Sequence, residues 1–130
     1  MGPSFVDTNV FIYAVGRPHP LQGPAQEMLR DRLERNVQMA TSAEVLQELL
    51  HVYLPVGREA ELDGAIRLAT DLTVVWSVGS EDVIAARDLS LSQPGLGARD
   101  LIHLAVCRRR GAGELLSFDR ALTAAFTGGR

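Results

Sequence analysis

Lysine is absent from this sequence: all thirteen basic residues are arginine. Codon usage in a GC-rich genome accounts for such a bias, but its consequence is chemical. P-loop NTPases, haloacid-dehalogenase-type phosphatases and receiver domains place a lysine at the phosphoryl group, so each is excluded in its usual form. Arginine offers instead a planar fork that matches phosphate. Cysteine is reduced to Cys107, which excludes an intramolecular disulfide, offers no zinc cluster and fits a reducing compartment. One Trp, two Tyr and four Phe make up the aromatic complement; with so few, Tyr13 and Trp76 are expected in core packing before base stacking. No basic leader and no apolar run long enough to span a bilayer stands out, so a cytoplasmic protein without membrane contact is expected. The net charge of −3 excludes a protein that coats nucleic acid by bulk electrostatics.

What remains is an ordinary globular composition, 46% hydrophobic and 22% charged. A chain of 130 residues can bury a core without staples, so residues 1–130 are expected to form one domain. Short apolar runs at Ser4–Val6, Gln38–Thr41, Thr73–Trp76 and Leu115–Phe118 read as strands. Helical spacing connects them: Val10–Ala14, Gln22–Arg35 with Ala25, Met28, Leu29 and Leu33 inward, a helix after Thr41, and Arg58–Leu72 with Leu62, Ile66 and Ala69 inward. Further on come Glu81–Leu91, Ala98–Arg110 ended by Gly111, and Arg120–Phe126, with Thr127–Arg130 expected to fray. Thr41 and Glu44 are spaced as a capping box, Ser80 reads as an N-cap, and Pro55 and Gly57 end or kink the helix before them. Strands alternating with helices mean a parallel sheet sandwiched by helices. Ligands in such folds bind beyond the carboxyl ends of the strands, where the strand order reverses.

Four acids stand out against this frame. Asp7 and Asp119 each close an apolar run, while Glu48 and Asp100 lie within apolar, helix-patterned segments. An acid there is costly unless it is paired or bound to a metal. Brought together, such groups repel and raise one another's pKa, and a hard cation relieves this by taking oxygen ligands. The combination points to metal-assisted phosphodiester chemistry. Each acid also has a plainer reading: Asp7 and Asp119 as N-caps, Asp100 as a charge favourable to its helix dipole. Glu48 competes with Glu44 one turn earlier. Glu44 is accounted for by the cap with Thr41, whereas Glu48, beside Leu49 and Leu50, has no such explanation and is the one chosen.

The neighbours of these acids are weighed in the same way. Thr8, Asn9 and Ser117 are short polar groups that could hydrogen-bond carboxylates or a metal-bound water, or simply cap turns. Arg99 and Arg120 adjoin candidate ligands and are the arginines placed best to meet phosphate. Arg108, Arg109 and Arg110 are explained by a helix C-terminus alone. His103 and Cys107 share the Asp100 face; Cys107 reads as inert packing, and His103 as a satisfied core residue first and a catalytic one second. The apolar surplus from Val45 to Leu54 suits dimerisation, or burial within the monomer.

Four segments, in order, resemble the motifs of the PIN domain: Phe5-Val6-Asp7-Thr8-Asn9-Val10-Phe11-Ile12, Ser42-Ala43-Glu44-Val45-Leu46-Gln47-Glu48-Leu49, Ala98-Arg99-Asp100-Leu101-Ile102-His103-Leu104-Ala105, and Leu116-Ser117-Phe118-Asp119-Arg120-Ala121-Leu122. The size, with no added domain, is most similar to the VapC toxins of toxin–antitoxin pairs. The resemblance implies a PIN-like three-layer α/β/α sandwich with a short, mainly parallel central sheet. It implies a magnesium-dependent endoribonuclease, with manganese as a substitute, in which Asp7, Glu48, Asp100 and Asp119 hold one or two ions. Metal-activated water would displace the 3′ oxygen in line, leaving a 5′ phosphate and a 3′ hydroxyl. It further implies a homodimer and a small antitoxin whose C-terminal segment blocks the acidic groove. RNA rather than DNA as substrate rests on the resemblance. Two other readings stay open: a catalytically inactive PIN-like module that binds RNA or protein, and a metal-dependent phosphatase.

Overall fold

The backbone groups of short buried runs must find partners. In the computed structural model, which describes residues 2–128, four of these runs pair with one another. Strands β1 (Ser4–Val6), β2 (Met39–Ser42), β3 (Val74–Trp76) and β4 (Glu114–Leu116) form a parallel sheet in the order β3-β2-β1-β4. Ser4 faces Met39 on one side and Glu114 on the other, and Ala40 faces Val74. Every residue of β1 and β2 is buried, as central parallel strands covered on both faces require.

Among the described residues seven α-helices cover the sheet: α1 (Thr8–Val15), α2 (Gln22–Glu34), α3 (Ala43–Tyr53), α4 (Glu59–Leu72), α5 (Ser80–Leu89), α6 (Ala98–Arg110) and α7 (Arg120–Gly128). Helix α1 packs on α2, α3 and α4, while α5 and α7 pack on α6; α3 meets α6. Phe5, Phe11, Leu49, Leu104 and Leu122 are among the largest fully buried side chains. This is the PIN-like α/β/α sandwich expected from the sequence.

Several local expectations are corrected. Strand β4 was expected at Leu115–Phe118 but ends at Leu116, because side chains claim the next free N–H groups. The Phe118 N–H donates to Asn9 Oδ1 (3.2 Å) and that of Asp119 to Ser117 Oγ (2.9 Å). Ser117 is thereby freed from the ladder. Thr41 does not cap α3. It belongs to β2, where its hydroxyl donates to the Val6 carbonyl at 2.8 Å, and Ser42 is the cap, accepting from the Val45 N–H. Glu44 therefore stands too early in the helix to close a box. Ser80 is likewise the first helical residue: Gly79 occupies the cap position and Asp82 reaches back to its N–H at 2.8 Å. Leu33, expected inward, is 48% exposed. Gly111 ends α6 in the left-handed region (φ 71°), and Gly57 (φ 69°) closes a 3₁₀ turn at Leu54–Val56. The fray expected at Thr127–Arg130 is not seen at Thr127 and Gly128, which end α7; Gly129 and Arg130 lie outside the described residues.

The topology creates one special place. From β1 the chain crosses to β2 on one side, while β4 joins β1 on the other. The crevice beyond the carboxyl ends of β1 and β4 is where such sheets bind ligands. Asp7 follows β1 directly, and Ser117 follows β4.

Candidate active site

Asp7 does two jobs. As N-cap of α1 it accepts the Thr8 N–H at Oδ1 (2.8 Å), so the plainer reading of this residue holds as geometry. Its other oxygen, Oδ2, accepts the Ser117 hydroxyl at 2.6 Å and the Asn9 amide at 3.4 Å. Asn9 in turn receives the Phe118 N–H, so Asp7, Asn9 and Ser117 tie the ends of β1 and β4 together. Asp7 is buried, and burial pushes its carboxyl above the ordinary range; His103 and the Ser117 and Thr8 hydrogen bonds oppose this, and Glu48 adds to it.

Glu48 comes in from α3, half-buried. Its Oε1 accepts the Thr8 hydroxyl at 2.8 Å and lies 2.5 Å from His103 Nε2. Burial pushes the Glu48 carboxyl up, but the hydrogen bond and charge of His103, together with Thr8, outweigh it and hold the group below its usual value. His103, on α6, is 1% exposed and also lies 3.7 Å from Asp7 Oδ1. Burial depresses its pKa, yet the hydrogen bond to Glu48 and the charges of Asp7, Glu48 and Asp100 raise it on balance.

Asp100 sits one helical turn before His103 on the same face of α6. Its carboxyl is pushed up to about 6, first by burial and then by the negative charges of Asp119 and Asp7, with Glu48 contributing and His103 opposing. Asp119 caps α7 by accepting the Leu122 N–H at 3.0 Å. Asp7, Glu48 and His103 thus bring ligand atoms within 4.8 Å of one another, a group that does not include Asp100 or Asp119, while the charges of Asp7, Glu48 and Asp119 all reach Asp100. Among the described residues, the ion-pair partner of Asp7 and Glu48 is His103, not an arginine.

This arrangement can be set beside known proteins. The sequence model of the PIN domain matches residues 4–125. The chain belongs to the PIN-domain family. Ribonuclease VapC23 of Mycobacterium tuberculosis is 55% identical over 122 residues, which cover 94% of this chain and 97% of the relative. Ribonuclease VapC13 of the same organism is 38% identical over 120 residues, 88% of each chain. Among solved structures, M. tuberculosis VapC20, a sarcin–ricin loop cleaving toxin, superposes with a TM-score of 0.74 at 25% identity over 94% of each chain.

In this PIN domain the remaining candidates fall into place unevenly. Thr8, Asn9 and Ser117 all bond site carboxylates, as sized for in the sequence. Glu48 rather than Glu44 turns to the pocket. Arg99 is exposed and its charge reaches Glu48; Arg120 is exposed beside Asp119. The three arginines at the end of α6 are each engaged elsewhere. Arg108 donates to the Ala125 carbonyl, Arg109 pairs with buried Asp82 at 2.6 Å, and Arg110 lies over the Trp76 ring. Cys107 is packed as expected, its thiol pushed up to about 12 chiefly by burial. His103 is a buried, hydrogen-bonded residue, as expected of a satisfied core histidine, and its partner is Glu48. It lies within the acidic cluster with Asp7 and Glu48; the one hint of this in the sequence was its spacing of three from Asp100.

Proposed function

We propose that this PIN domain is the endoribonuclease toxin of a type II toxin–antitoxin pair, and that its acidic pocket hydrolyses RNA phosphodiester bonds with a divalent cation, magnesium or in its place manganese. The observation that carries the reading is the meeting of Asp7 and Glu48, whose oxygens lie within 4.8 Å of one another beside His103, with Asp100 near enough that burial and the charges of Asp119, Asp7 and Glu48 push its carboxyl up to about 6. Anions crowded in this way fit a hard cation with oxygen ligands. Asp7, Glu48, Asp100 and Asp119 would hold it. When bound, the ion supplies Lewis-acid activation of water and neutralises charge on the phosphate. The chain's own groups do the rest. Ser117, Asn9 and the Thr8 N–H hold the Asp7 carboxylate in one orientation, and Arg99 and Arg120, exposed beside the pocket, receive the RNA backbone.

Similarity to ribonucleases VapC23 and VapC13 over nearly the whole chain supports RNA as the substrate class, and cleavage of the sarcin–ricin loop by VapC20 favours a structured RNA loop. A small antitoxin and a second copy of this chain are the partners of the same reading. Exposed Leu50 and Leu54, one helical turn apart at the end of α3, offer an apolar spot for protein contact. A cytoplasmic setting and one domain over residues 1–130 belong to it as well.

The test is product chemistry. Purified protein with magnesium or manganese should cut RNA and spare DNA of the same sequence, leaving 5′-phosphate ends, and EDTA should stop it. Cyclic-phosphate ends formed in EDTA would contradict a metal-dependent hydrolase.

A further inference from the structure

One oxygen of Asp7, one of Glu48 and a ring nitrogen of His103 lie within 4.8 Å of one another. Such a grouping invites His103 as a third ligand for the cation. The hydrogen bonding of the ring argues against it. Nε2 lies 2.5 Å from Glu48 Oε1 and 3.7 Å from Asp7 Oδ1, while Nδ1 is buried with no hydrogen-bond partner. A hydrogen on Nδ1 alone would leave a buried N–H without an acceptor and turn the Nε2 lone pair toward two carboxylates. Nε2 therefore carries a hydrogen whether the ring is neutral or charged. A nitrogen that donates that hydrogen has no lone pair for a metal.

Thr8 supplies the second half of the argument. Its hydroxyl donates to the same oxygen, Glu48 Oε1, at 2.8 Å. Two donors thus converge on Oε1, and among the described residues no hydrogen bond reaches Oε2. The ring itself has little freedom, being 1% exposed on α6 with its centroid 5.9 Å from that of Phe5. We propose that His103 is a positioning residue: with Thr8 it clamps Oε1 of Glu48, leaving Oε2 as that side chain's oxygen for the divalent ion, and does not itself ligate. The role rests on the metal-dependent reading of the pocket.

Mn²⁺ is the probe, on the full chain, with binding followed by the EPR signal of the free ion and the bound state by pulsed EPR. Bound Mn²⁺ in the wild type should show no directly coordinated ¹⁴N. His103→Ala should weaken Mn²⁺ binding about ten- to a hundred-fold, the range for loss of an outer-shell partner. His103→Gln, which keeps an N–H donor, should recover most of that loss. Thr8→Val, nearly isosteric and safe against a cavity at His103, should weaken binding as well. A ¹⁴N coupling that vanishes in His103→Gln would make His103 a ligand and overturn the clamp. Unchanged affinity in both His103→Ala and Thr8→Val would overturn it too, with the metal site left standing. A wild-type protein that binds no Mn²⁺ would take down the metal reading itself.

Discussion

Asp7→Asn is expected to lower RNA cleavage by at least about a hundred-fold, more than the loss of a merely supporting contact costs, while the protein stays folded. The geometry explains why the two effects separate. Asparagine is as good an N-cap as aspartate, so its Oδ1 can still accept the Thr8 N–H, and its amide can donate to Ser117 once that hydroxyl turns, at the loss of the long 3.4 Å contacts from Asn9. His103 keeps its bond to Glu48. What is lost is a buried negative charge whose pKa burial has already raised. A cap or turn residue would tolerate the exchange in every assay; a cation ligand would not. Circular dichroism and melting checked beside the cleavage rate separate the two. Wild-type cleavage by folded Asp7→Asn would reduce Asp7 to its structural job.

Asp100→Asn should abolish cleavage comparably and, in EDTA, make the protein more stable. The sign follows from linkage. The folded-state pKa is raised from 3.8 to about 6, so between these values the unfolded chain gives up its proton first and stability falls as pH rises. Above about pH 6 the whole penalty remains. Two pKa units correspond to about 3 kcal/mol, but the group is only partly buried, and solvent screening reduces this to roughly 1–2 kcal/mol. Removing the charge should therefore raise Tm by several degrees at pH 7.5 and change little at pH 4. A lower Tm for Asp100→Asn in EDTA at pH 7.5 would mean the carboxylate is not strained by its neighbours. A residue whose removal stabilises the fold while removing activity is what a functional site superimposed on a fold should contain.

How far the sequence carried depended on whether a residue's partner was local. Phe5 and Val6 form a fully buried strand because an apolar run of that length has little other use, and α6 ends at Gly111 because glycine takes the left-handed turn cheaply. Glu48 stood out because an acid beside Leu49 and Leu50 lacked a local explanation, and its partners, Thr8 and His103, are indeed distant in sequence. The misreadings at Thr41 and at the end of β4 share one cause, a distant partner. Thr41 looked like a cap until the Val6 carbonyl, 35 positions away, took its hydroxyl. The end of β4 was misjudged because Asn9, 109 positions away, takes the Phe118 N–H. His103 was legible as buried, but not its carboxylate partner, which is 55 positions away on another helix. Periodicity reports which face is buried, not what a buried polar atom meets there.

We propose that Asp7, Glu48, Asp100 and Asp119 form one site for a divalent ion. The most direct measurement is thermal unfolding at pH 7.5 over a Mn²⁺ titration, for the wild type, Asp7→Asn and Asp100→Asn. A ligand of the native state alone, at a hundred times its Kd, adds about 2.7 kcal/mol. The wild-type Tm should therefore climb by several degrees along a binding curve, and both variants should stay flat at the same concentrations. A flat wild-type curve, or an equal rise in all three proteins, would contradict the account.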